Sequence, residues 1–320
     1  MILASMYSQF PISLSTLGVY RMMAQTGVIP SPVGWHETAE LHRYFVCDVF
    51  TSEPLEGNQL GVFTDGRPFS ETQMQRLARE MNFAETVFLL PPREGGDARM
   101  RIFTPAAELP FAGHPVLGTA FVVGAALGAD AVRLETGAGL VPITLERDGA
   151  RITFGRMSQP IPAWEPFGRD RELLDAIGAG PSLLPVELYR NGPPHVYVQL
   201  ASEDAVAALR PDMAALAELD VAVNCFAGRG REWKTRMFYP SGGVPEDPAT
   251  GSAAGPLAVH LARHGRIGFG DQIEIRQGAE IGRPSLLYAT ATGDRDKITS
   301  VEVAGTALIV AEGHFRVTQR

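Results

Sequence analysis

Three ionisable side chains of this sequence stand where they could move protons on a small molecule. Glu85 begins a run that is apolar apart from Thr86, so its carboxyl group is expected at a dry sheet edge. Desolvation raises the pKa of a carboxyl group and suits it to proton transfer. His114 and Asp247 each stand directly before a proline and an apolar segment of helical length. The structural alternatives are a solvated strand end for Glu85 and helix caps for the other two, a role in which Asp is favoured.

A short motif occurs twice and predicts where two central helices begin. Residues 113–120 align without gaps on residues 246–253, with proline, glycine, a small hydroxyl residue and alanine in the same order. Gly-Thr or Gly-Ser at a helix start exposes unpaired N–H groups, which bind anions together with the helix dipole. One copy alone would be no more than a combination of residues that is common at the start of a helix. Two copies predict two lobes that face one cleft, with Gly113, Gly251 and Ser252 as candidate substrate-binding residues.

Composition excludes several classes of function. The 320 residues are 45% hydrophobic and 20% charged, which is ordinary for a globular protein. A net charge of −8 argues against a nucleic-acid partner or an anionic membrane surface. The sequence contains no run of eighteen or more apolar residues, so no transmembrane helix is predicted. Cys47 and Cys225 show no zinc spacing, so we expect a reduced, cytoplasmic chain.

The motifs that are missing narrow the chemistry further. The sequence has no dinucleotide-binding or phosphate-binding glycine loop, and its acidic residues show no metal-ligand clustering. His195, at a strand start, is interpreted as structural. We therefore expect acid/base chemistry on a small carboxylate, without metal or cofactor, and an isomerisation fits this expectation.

The elements that must position these residues are mostly short strands. Strands are predicted at 42–50, 59–63, 85–90, 98–103, 132–135, 141–145, 150–154, 186–189, 195–198, 221–226, 233–238, 272–276, 285–289 and 307–310. Helices are predicted after Ser70, after each motif, and at 172–177 and 213–219. This plan predicts an α+β fold with two pseudo-symmetric lobes, each a curled, mostly antiparallel sheet around a central helix.

The expected domain boundaries follow from this plan. Residues 42–158 with 300–320 form the first lobe, so the last strand returns to it, and residues 159–299 form the second. Residues 1–41 carry no charge before Arg21 and are then rich in Pro, Gly and Ser. We expect them to be a poorly ordered extension or the product of too early a start codon, without a catalytic group.

Several segments together resemble the PhzF family over about residues 42–315. The motifs are Asp48-Val-Phe, Pro54-Leu-Glu-Gly-Asn58, Met74-Gln-Arg-Leu-Ala-Arg-Glu-Met-Asn82, Glu85-Thr, Arg101-Ile-Phe-Thr-Pro105, Glu108-Leu-Pro-Phe-Ala-Gly-His-Pro115, Asn191-Gly-Pro193, Asn224-Cys-Phe-Ala-Gly228 and Glu246-Asp-Pro-Ala-Thr-Gly-Ser-Ala-Ala254. The resemblance implies the diaminopimelate-epimerase fold with the active site between two lobes. It also implies a homodimer that isomerises trans-2,3-dihydro-3-hydroxyanthranilate without metal or cofactor.

The resemblance also implies roles for individual residues. Glu85 would take hydrogen from C3 of the substrate ring and return it at C1. His114 and Asp247 would hold the hydroxyl and amino groups, and Gly251 and Ser252 would receive the carboxylate on their N–H groups. The related epimerases carry a cysteine at each central helix, and this chain has neither, which disfavours two-thiol racemisation.

The sequence departs from the family pattern at two positions. Ala84 replaces a serine often found before the glutamate, and Pro194 replaces an arginine of the closest relatives. Two other functions stay open: a PhzF-like isomerase or epimerase of another small amino or hydroxy acid, and a non-catalytic carboxylate-binding protein. The complete set of Glu85, His114 and Asp247 argues against the second of these.

Overall fold

Two apolar helices enclosed by a long curled sheet organise the structure. The computed structural model describes residues 40–317, and residues His42–Phe315 form one unit. The helices are α1 (Glu71–Met81), α2 (Gly113–Leu127), α3 (Asp170–Ile177), α4 (Glu203–Ala207), α5 (Met213–Ala217) and α6 (Gly251–Arg263). All but two residues of the predicted extension over residues 1–41 lie outside the described residues.

Within residues 40–317, 18 strands form one continuous hydrogen-bonded sheet. They are β1 (Glu40–Val49), β2 (Asn58–Phe63), β3 (Glu85–Leu90), β4 (Ala98–Phe103), β5 (Glu108–Leu109), β6 (Ala131–Thr136), β7 (Gly139–Asp148), β8 (Arg151–Gln159), β9 (Ala163–Pro166), β10 (Glu187–Arg190), β11 (Pro194–Gln199), β12 (Ala222–Arg229), β13 (Glu232–Tyr239), β14 (Val244–Asp247), β15 (Gln272–Gln277), β16 (Ser285–Gly293), β17 (Ile298–Gly305) and β18 (Ala307–Val317).

The strand pairings confirm the predicted internal symmetry. β1 and β2 are antiparallel, β2 and β3 parallel, β3 and β4 antiparallel, and β4 pairs with β5 antiparallel and with β6 parallel. The same sequence of pairings recurs from β10 to β15. β8 and β17 join the two halves, and β18 pairs with β1. The fold is α+β with two pseudo-symmetric lobes.

The two central helices are buried nearly along their whole length. Every residue from Gly113 to Gly124 in α2 and from Gly251 to Ala262 in α6 is buried. A helix that is apolar all round must be covered on all sides, and here the curled sheet covers it. The two helices share one hydrophobic core, while α3, α4 and α5 cover a second core on the outer side of the second lobe.

The structure corrects the alignment of the two motifs. The gap-free alignment pairs Gly113 with Glu246, but α2 begins at Gly113 and α6 begins at Gly251. Leu109 in β5 and Asp247 in β14 occupy corresponding ladder positions, and each helix begins four residues later. His114 is therefore the second residue of its helix, whereas Asp247 ends a strand ahead of its helix.

The two helices meet head to head at their first residues. A Cβ added to Gly113 would stand 2.6 Å from the Ser252 nitrogen and would overlap the Gly251 backbone. A Cβ added to Gly251 would stand 2.9 Å from the His114 nitrogen and 3.0 Å from the Gly113 Cα. Both glycines are thus required by a close approach of backbone to backbone.

No helix in residues 40–317 is long and apolar enough to cross a membrane.

We predict that Gly113→Ala and Gly251→Ala each destabilise the fold. The atoms that the new methyl group meets belong to the backbone of the opposite helix, so no side chain can rotate away. Overpacking of this kind costs about 1–3 kcal/mol. Thermal unfolding measures the loss. Gly180→Ala is the control, because a Cβ at Gly180 meets nothing within 4 Å. Equal melting temperatures for all three variants would contradict the close approach.

Candidate active site

A cavity of about 230 Å³ lies where the two helix starts meet. Residues of both lobes line it: Glu85, Thr104, Ala106, Ala107, Leu109, Ala112, Gly113, His114, Pro193, His195, Met237, Tyr239, Ser241, Gly242, Val244, Asp247, Thr250, Gly251 and Ser252. The three candidate catalytic residues and the three candidate substrate-binding residues are all in this set. The structure therefore brings together every site residue that the sequence predicts.

Glu85 and His114 face each other within the first lobe. Glu85 begins β3 beside Leu60 of β2, and His114 follows the first residue of α2. Glu85 Oε2 lies 3.2 Å from His114 Nε2. Among the described residues, neither of these two buried atoms has a partner with hydrogen-bond geometry. Buried polar atoms are nearly always hydrogen-bonded, so this unpaired couple at a cavity wall is a mark of function.

Burial favours the neutral form of both side chains. Burial raises the pKa of Glu85 well above its usual value, and the negative charge of Asp247 adds to the shift. Burial lowers the pKa of His114 to about 3, against a smaller opposing effect of a hydrogen bond to the Gln59 backbone. Because Nε2 is unpaired, we assign that bond to Nδ1–H, which leaves the Nε2 lone pair facing the Glu85 carboxyl group.

Asn58, at the start of β2, lies between His114 and the second lobe. Its amide nitrogen donates to Asp247 Oδ1 at 2.8 Å and to the Ala249 carbonyl at 2.9 Å. The same nitrogen lies 3.1 Å from His114 Nδ1. An amide has two hydrogens, and the two shorter contacts take them. Asn58 thus fixes the Asp247 carboxylate beside the imidazole ring.

Asp247 is held on its other side by a chain of polar residues. Thr250 Oγ1 donates to Asp247 Oδ2 at 2.6 Å, and Gln277 Nε2 donates to the Asp247 carbonyl at 2.8 Å. Burial raises the pKa of Asp247 to about 6, more than the hydrogen bonds from Thr250 and Asn58 lower it. The interpretation of Asp247 as a helix cap does not hold, because the N-cap residue of α6 is Thr250.

The start of α6 is fixed by side chains that bind its carbonyl groups. Gln159 Nε2 donates to the Gly251 carbonyl at 2.8 Å, and Asn191 Nδ2 donates to the Ser252 carbonyl at 3.1 Å. Pro256 lies inside the helix and has no N–H for the Ser252 carbonyl, so Asn191 replaces the missing donor.

The helix starts leave backbone donors at the cavity. Neither N-cap residue, Ala112 or Thr250, makes a side-chain hydrogen bond to its helix. The first N–H groups of α2 and α6 are therefore available to an anion, as the sequence predicts.

Matching ion pairs hold the strand that precedes each helix. Arg101 pairs with Glu108 in the first lobe, and Arg236 Nη2 lies 2.8 Å from Glu246 Oε2 in the second. Each arginine also lies over a phenylalanine two residues further along its own strand. Bidentate pairs of this kind fix β5 and β14, from which the two helix starts are presented.

Two polar residues of the site are missed by the sequence. Asn58 stands inside a quoted motif, but its partners are 56 and 189 residues away. His195, interpreted as structural, lines the cavity with its Nε2 atom 3.0 Å from Ser252 Oγ. Of the two prolines 193 and 194, Pro193 is the one in the cavity wall.

One group of side chains has metal-ligand types but lies away from this cavity. Within residues 40–317, Glu187, His260 and His264 place ligand atoms within 4.8 Å of one another. Arg263 Nη1 and Tyr189 Oη each donate to Glu187 Oε2 at 2.8 Å. The guanidinium group already supplies the positive charge beside this carboxylate, so we interpret the group as an ion-pair centre at the end of α6.

We predict that Glu85→Gln stabilises the fold at pH 8 but not at pH 4. The folded pKa of Glu85 is raised, so the native state binds more protons than the unfolded state between the two pKa values. Stability from this carboxyl group is present below its unfolded pKa and is lost as the pH rises through its folded pKa, at about 1.4 kcal/mol per pKa unit. Glutamine has no proton to lose and escapes this loss.

Melting temperatures of both proteins at the two pH values measure the effect. Glu53→Gln is the control, because Glu53 is exposed and should respond equally at both. A gain from Glu85→Gln that is independent of pH would contradict the buried, raised carboxyl group.

Known proteins are similar to this chain over most of its length. The family model PhzC-PhzF, described as phenazine biosynthesis-like protein, matches residues 47–313. The trans-2,3-dihydro-3-hydroxyanthranilate isomerases of Pseudomonas aeruginosa and Pseudomonas chlororaphis are each 56% identical over 274 residues, covering 85% of this chain and 99% of the relative.

A solved structure agrees with these matches. The PhzF-family phenazine biosynthesis protein of Bacillus anthracis is 26% identical and superposes with a TM-score of 0.77, over 87% of this chain and 100% of that chain. The resemblance found in the motifs is confirmed by a match that runs from β1 to β18. This chain belongs to the PhzC-PhzF family of phenazine biosynthesis-like proteins.

Proposed function

We propose that this protein isomerises trans-2,3-dihydro-3-hydroxyanthranilate to 6-amino-5-oxocyclohex-2-ene-1-carboxylate, without a cofactor, in phenazine biosynthesis. Relatives of this name are 54–56% identical over nearly their whole length. The observation that carries the chemistry is Glu85, a buried carboxyl group with a raised pKa and an unpaired oxygen at the cavity wall.

The substrate carboxylate binds at the two helix starts. The N–H groups of Gly251 and Ser252 point to the cavity without a capping side chain, and Gly113 stands against them from the opposite helix. Two helix dipoles present their positive ends at this point, so an anion is favoured here more than at a single helix start. The bound carboxylate orients the ring so that C1 and C3 lie within reach of Glu85.

Glu85 carries the proton between these two carbons. A carboxyl group with a raised pKa is a stronger base when ionised and a competent acid when protonated, which one shuttle must be in turn. His114 Nε2 accepts a proton from a substrate hydroxyl or from Glu85, since its lone pair faces both the cavity and the carboxyl group. Asp247, with its pKa raised to about 6, holds the amino group and assists the conversion of the enol to the ketone.

The pseudo-symmetry of the lobes favours a single base. Thr86 pairs with Phe103 in β3 and β4, and Val223 pairs with Phe238 in β12 and β13. The residue before Val223 is Ala222, so alanine occupies the position in the second lobe that Glu85 occupies in the first. Epimerisation by two bases at equivalent positions of the lobes would need an ionisable side chain at Ala222 as well as at Glu85. One carboxyl group fits a transfer along one face of a ring.

The proposal also covers the oligomeric state and the cellular location of the protein. We propose a homodimer, as the family resemblance implies, and a cytoplasmic location, as expected for a chain whose two cysteines are free. Light scattering of the purified chain measures the dimer directly, and a monomer at micromolar concentration would contradict it.

We predict that Glu85→Gln lowers turnover at least about a thousandfold, or roughly 4 kcal/mol of barrier. Glutamine keeps the shape of the side chain but cannot carry a proton. Glu85→Asp withdraws the carboxyl group by one methylene group and should also lose much of the rate. Turnover is followed by the absorbance change of the phenazine precursor, and binding is measured with anthranilate as a stable ring analogue.

Binding separates lost chemistry from lost structure in this test. Glu85→Gln should bind anthranilate within about threefold of the original protein, because the carboxylate contacts lie at α2 and α6. Asp247→Ala should weaken both binding and turnover. Near-normal turnover of Glu85→Gln would show that another group carries the proton.

We also predict that kcat/KM falls as the pH falls through the raised pKa of Glu85, above its usual range. Only the ionised carboxyl group accepts the proton from C3, and kcat/KM reports the groups of the free enzyme. Asp247→Asn removes the charge that helps raise this pKa, so it should move the acid limb to lower pH. The measurement is a pH–rate profile of both proteins. A profile that stays flat from pH 8 to pH 5 would contradict the assignment.

A further inference from the structure

A buried group of three polar side chains in the second lobe consists of His195, Ser252 and Asn224. His195 lies in β11 and is 1% exposed, and its Nε2 atom is 3.0 Å from Ser252 Oγ. Asn224 Nδ2 lies 3.4 Å from the other ring nitrogen, Nδ1. His195 and Ser252 both line the cavity, while Asn224 lies behind them.

The surroundings of Asn224 determine which ring nitrogen of His195 carries the proton. Asn224 Nδ2 is also 3.2 Å from the Ala222 carbonyl and 3.3 Å from the Val196 carbonyl. Because both of these neighbours are carbonyl oxygens, the side-chain atom of Asn224 that faces them must be the NH₂ group. This fixes the orientation of the amide. The two carbonyl oxygens are the nearer contacts and take the two amide hydrogens. An Nδ1–H of His195 would therefore face only the amide nitrogen, which accepts no hydrogen bond, and it has no other acceptor among the hydrogen bonds of residues 40–317. Nδ1 is consequently the unprotonated ring nitrogen, because Nε2–H has an acceptor in Ser252 Oγ.

The proton of the ring consequently lies on Nε2. Burial lowers the pKa of His195 to about 3, so the ring is neutral and has one N–H. With Nδ1 unprotonated, Nε2–H donates to Ser252 Oγ. This direction rules out Ser252 as a nucleophile activated by His195, because the imidazole nitrogen beside the hydroxyl group has no lone pair to receive its proton.

The hydroxyl hydrogen of Ser252 is left free for a ligand. Its oxygen accepts from His195, and the hydrogen bonds recorded within residues 40–317 give the hydroxyl group no acceptor. Ser252 is also the second residue of α6, whose first N–H groups are uncapped. The hydroxyl group and the backbone N–H groups thus form one cluster of donors at the cavity.

We infer that His195 is a positioning residue that turns the Ser252 hydroxyl group into a hydrogen-bond donor to the substrate carboxylate. This inference rests on the proposed function for the identity of the substrate. A subsite made only of donors accepts an ionised carboxylate and rejects the corresponding carboxamide, whose NH₂ group would meet hydrogens. His195 and Asn224 thereby select for the free acid.

The first test reads the tautomer in the unaltered protein. Nitrogen NMR of ¹⁵N-histidine-labelled protein distinguishes Nε2–H from Nδ1–H, and His195→Gln assigns the signal. We expect the Nε2–H form from pH 5 to pH 8. An Nδ1–H or doubly protonated ring in this range would overturn the inference, whether or not the enzyme turns over the phenazine precursor.

The second test measures binding in a double-mutant cycle. Anthranilate is the carboxylate probe, and anthranilamide is the neutral control. We expect His195→Phe and Ser252→Ala each to weaken anthranilate binding about tenfold or more, in line with a hydrogen bond to a charged group. Because both changes remove the same donor, the double variant should bind as Ser252→Ala alone does. Additive losses would overturn the inference.

Kinetics separate positioning from a general structural role. Loss of the oriented hydroxyl group should raise KM with little change in kcat, whereas partial unfolding lowers kcat at constant KM. His195→Gln, whose amide can still donate, should recover part of the loss. A variant series in which kcat alone falls would overturn the inference. If the original protein binds anthranilate but does not convert the precursor, the proposed function fails while the binding cycle still decides this inference.

Discussion

The site depends on the head-to-head contact of two helix starts at Gly113 and Gly251. Two helices that point their positive ends at each other repel, and both leave N–H groups without partners. Such an arrangement persists only where the surrounding structure holds it and negative charge compensates it. The curled sheet supplies the first condition by burying both helices on all sides. Asp247 supplies part of the second, and in the function we propose the substrate carboxylate supplies the rest.

Burial of the helices also shifts the pKa values of the candidate catalytic residues. The side chains at the meeting point are removed from water together with the helix starts, and this raises the pKa of Glu85 and Asp247 and lowers that of His114. The charge of Asp247 acts further on Glu85, so the two carboxyl groups resist being ionised together. Asn58 and Thr250 donate hydrogen bonds to the two carboxylate oxygens of Asp247, which lowers the pKa of Asp247 again. The proton thus belongs to Glu85 because Asp247 has the better hydrogen bonds.

Much of this could be predicted from the sequence, and the exceptions have physical reasons. The fold class and the set of Glu85, His114 and Asp247 follow from motifs that are local in the chain. The register of the two motifs does not, because proline fixes φ near −65° and fits both an extended segment and a first helical turn. Pro115 lies in the first turn of α2, whereas Pro248 lies between the end of β14 and the start of α6, and sequence similarity alone aligns them. The sequence also predicts no strand at Ile298–Gly305, where pairing with β8 joins the lobes.

Contacts between distant segments decide the rest of the site. Asn58 and His195 have no special spacing, and each becomes functional only when a strand of its lobe passes the second residue of a central helix. The first lobe places an imidazole at that residue and a carboxyl group beside it, and the second places a hydroxyl group. The symmetric scaffold therefore supplies two equal helix starts with free N–H groups but unequal side chains. In the function we propose, one half carries the proton and the other half holds the carboxylate, and a duplicated fold can separate these tasks because substitution in one lobe leaves the backbone of the other in place.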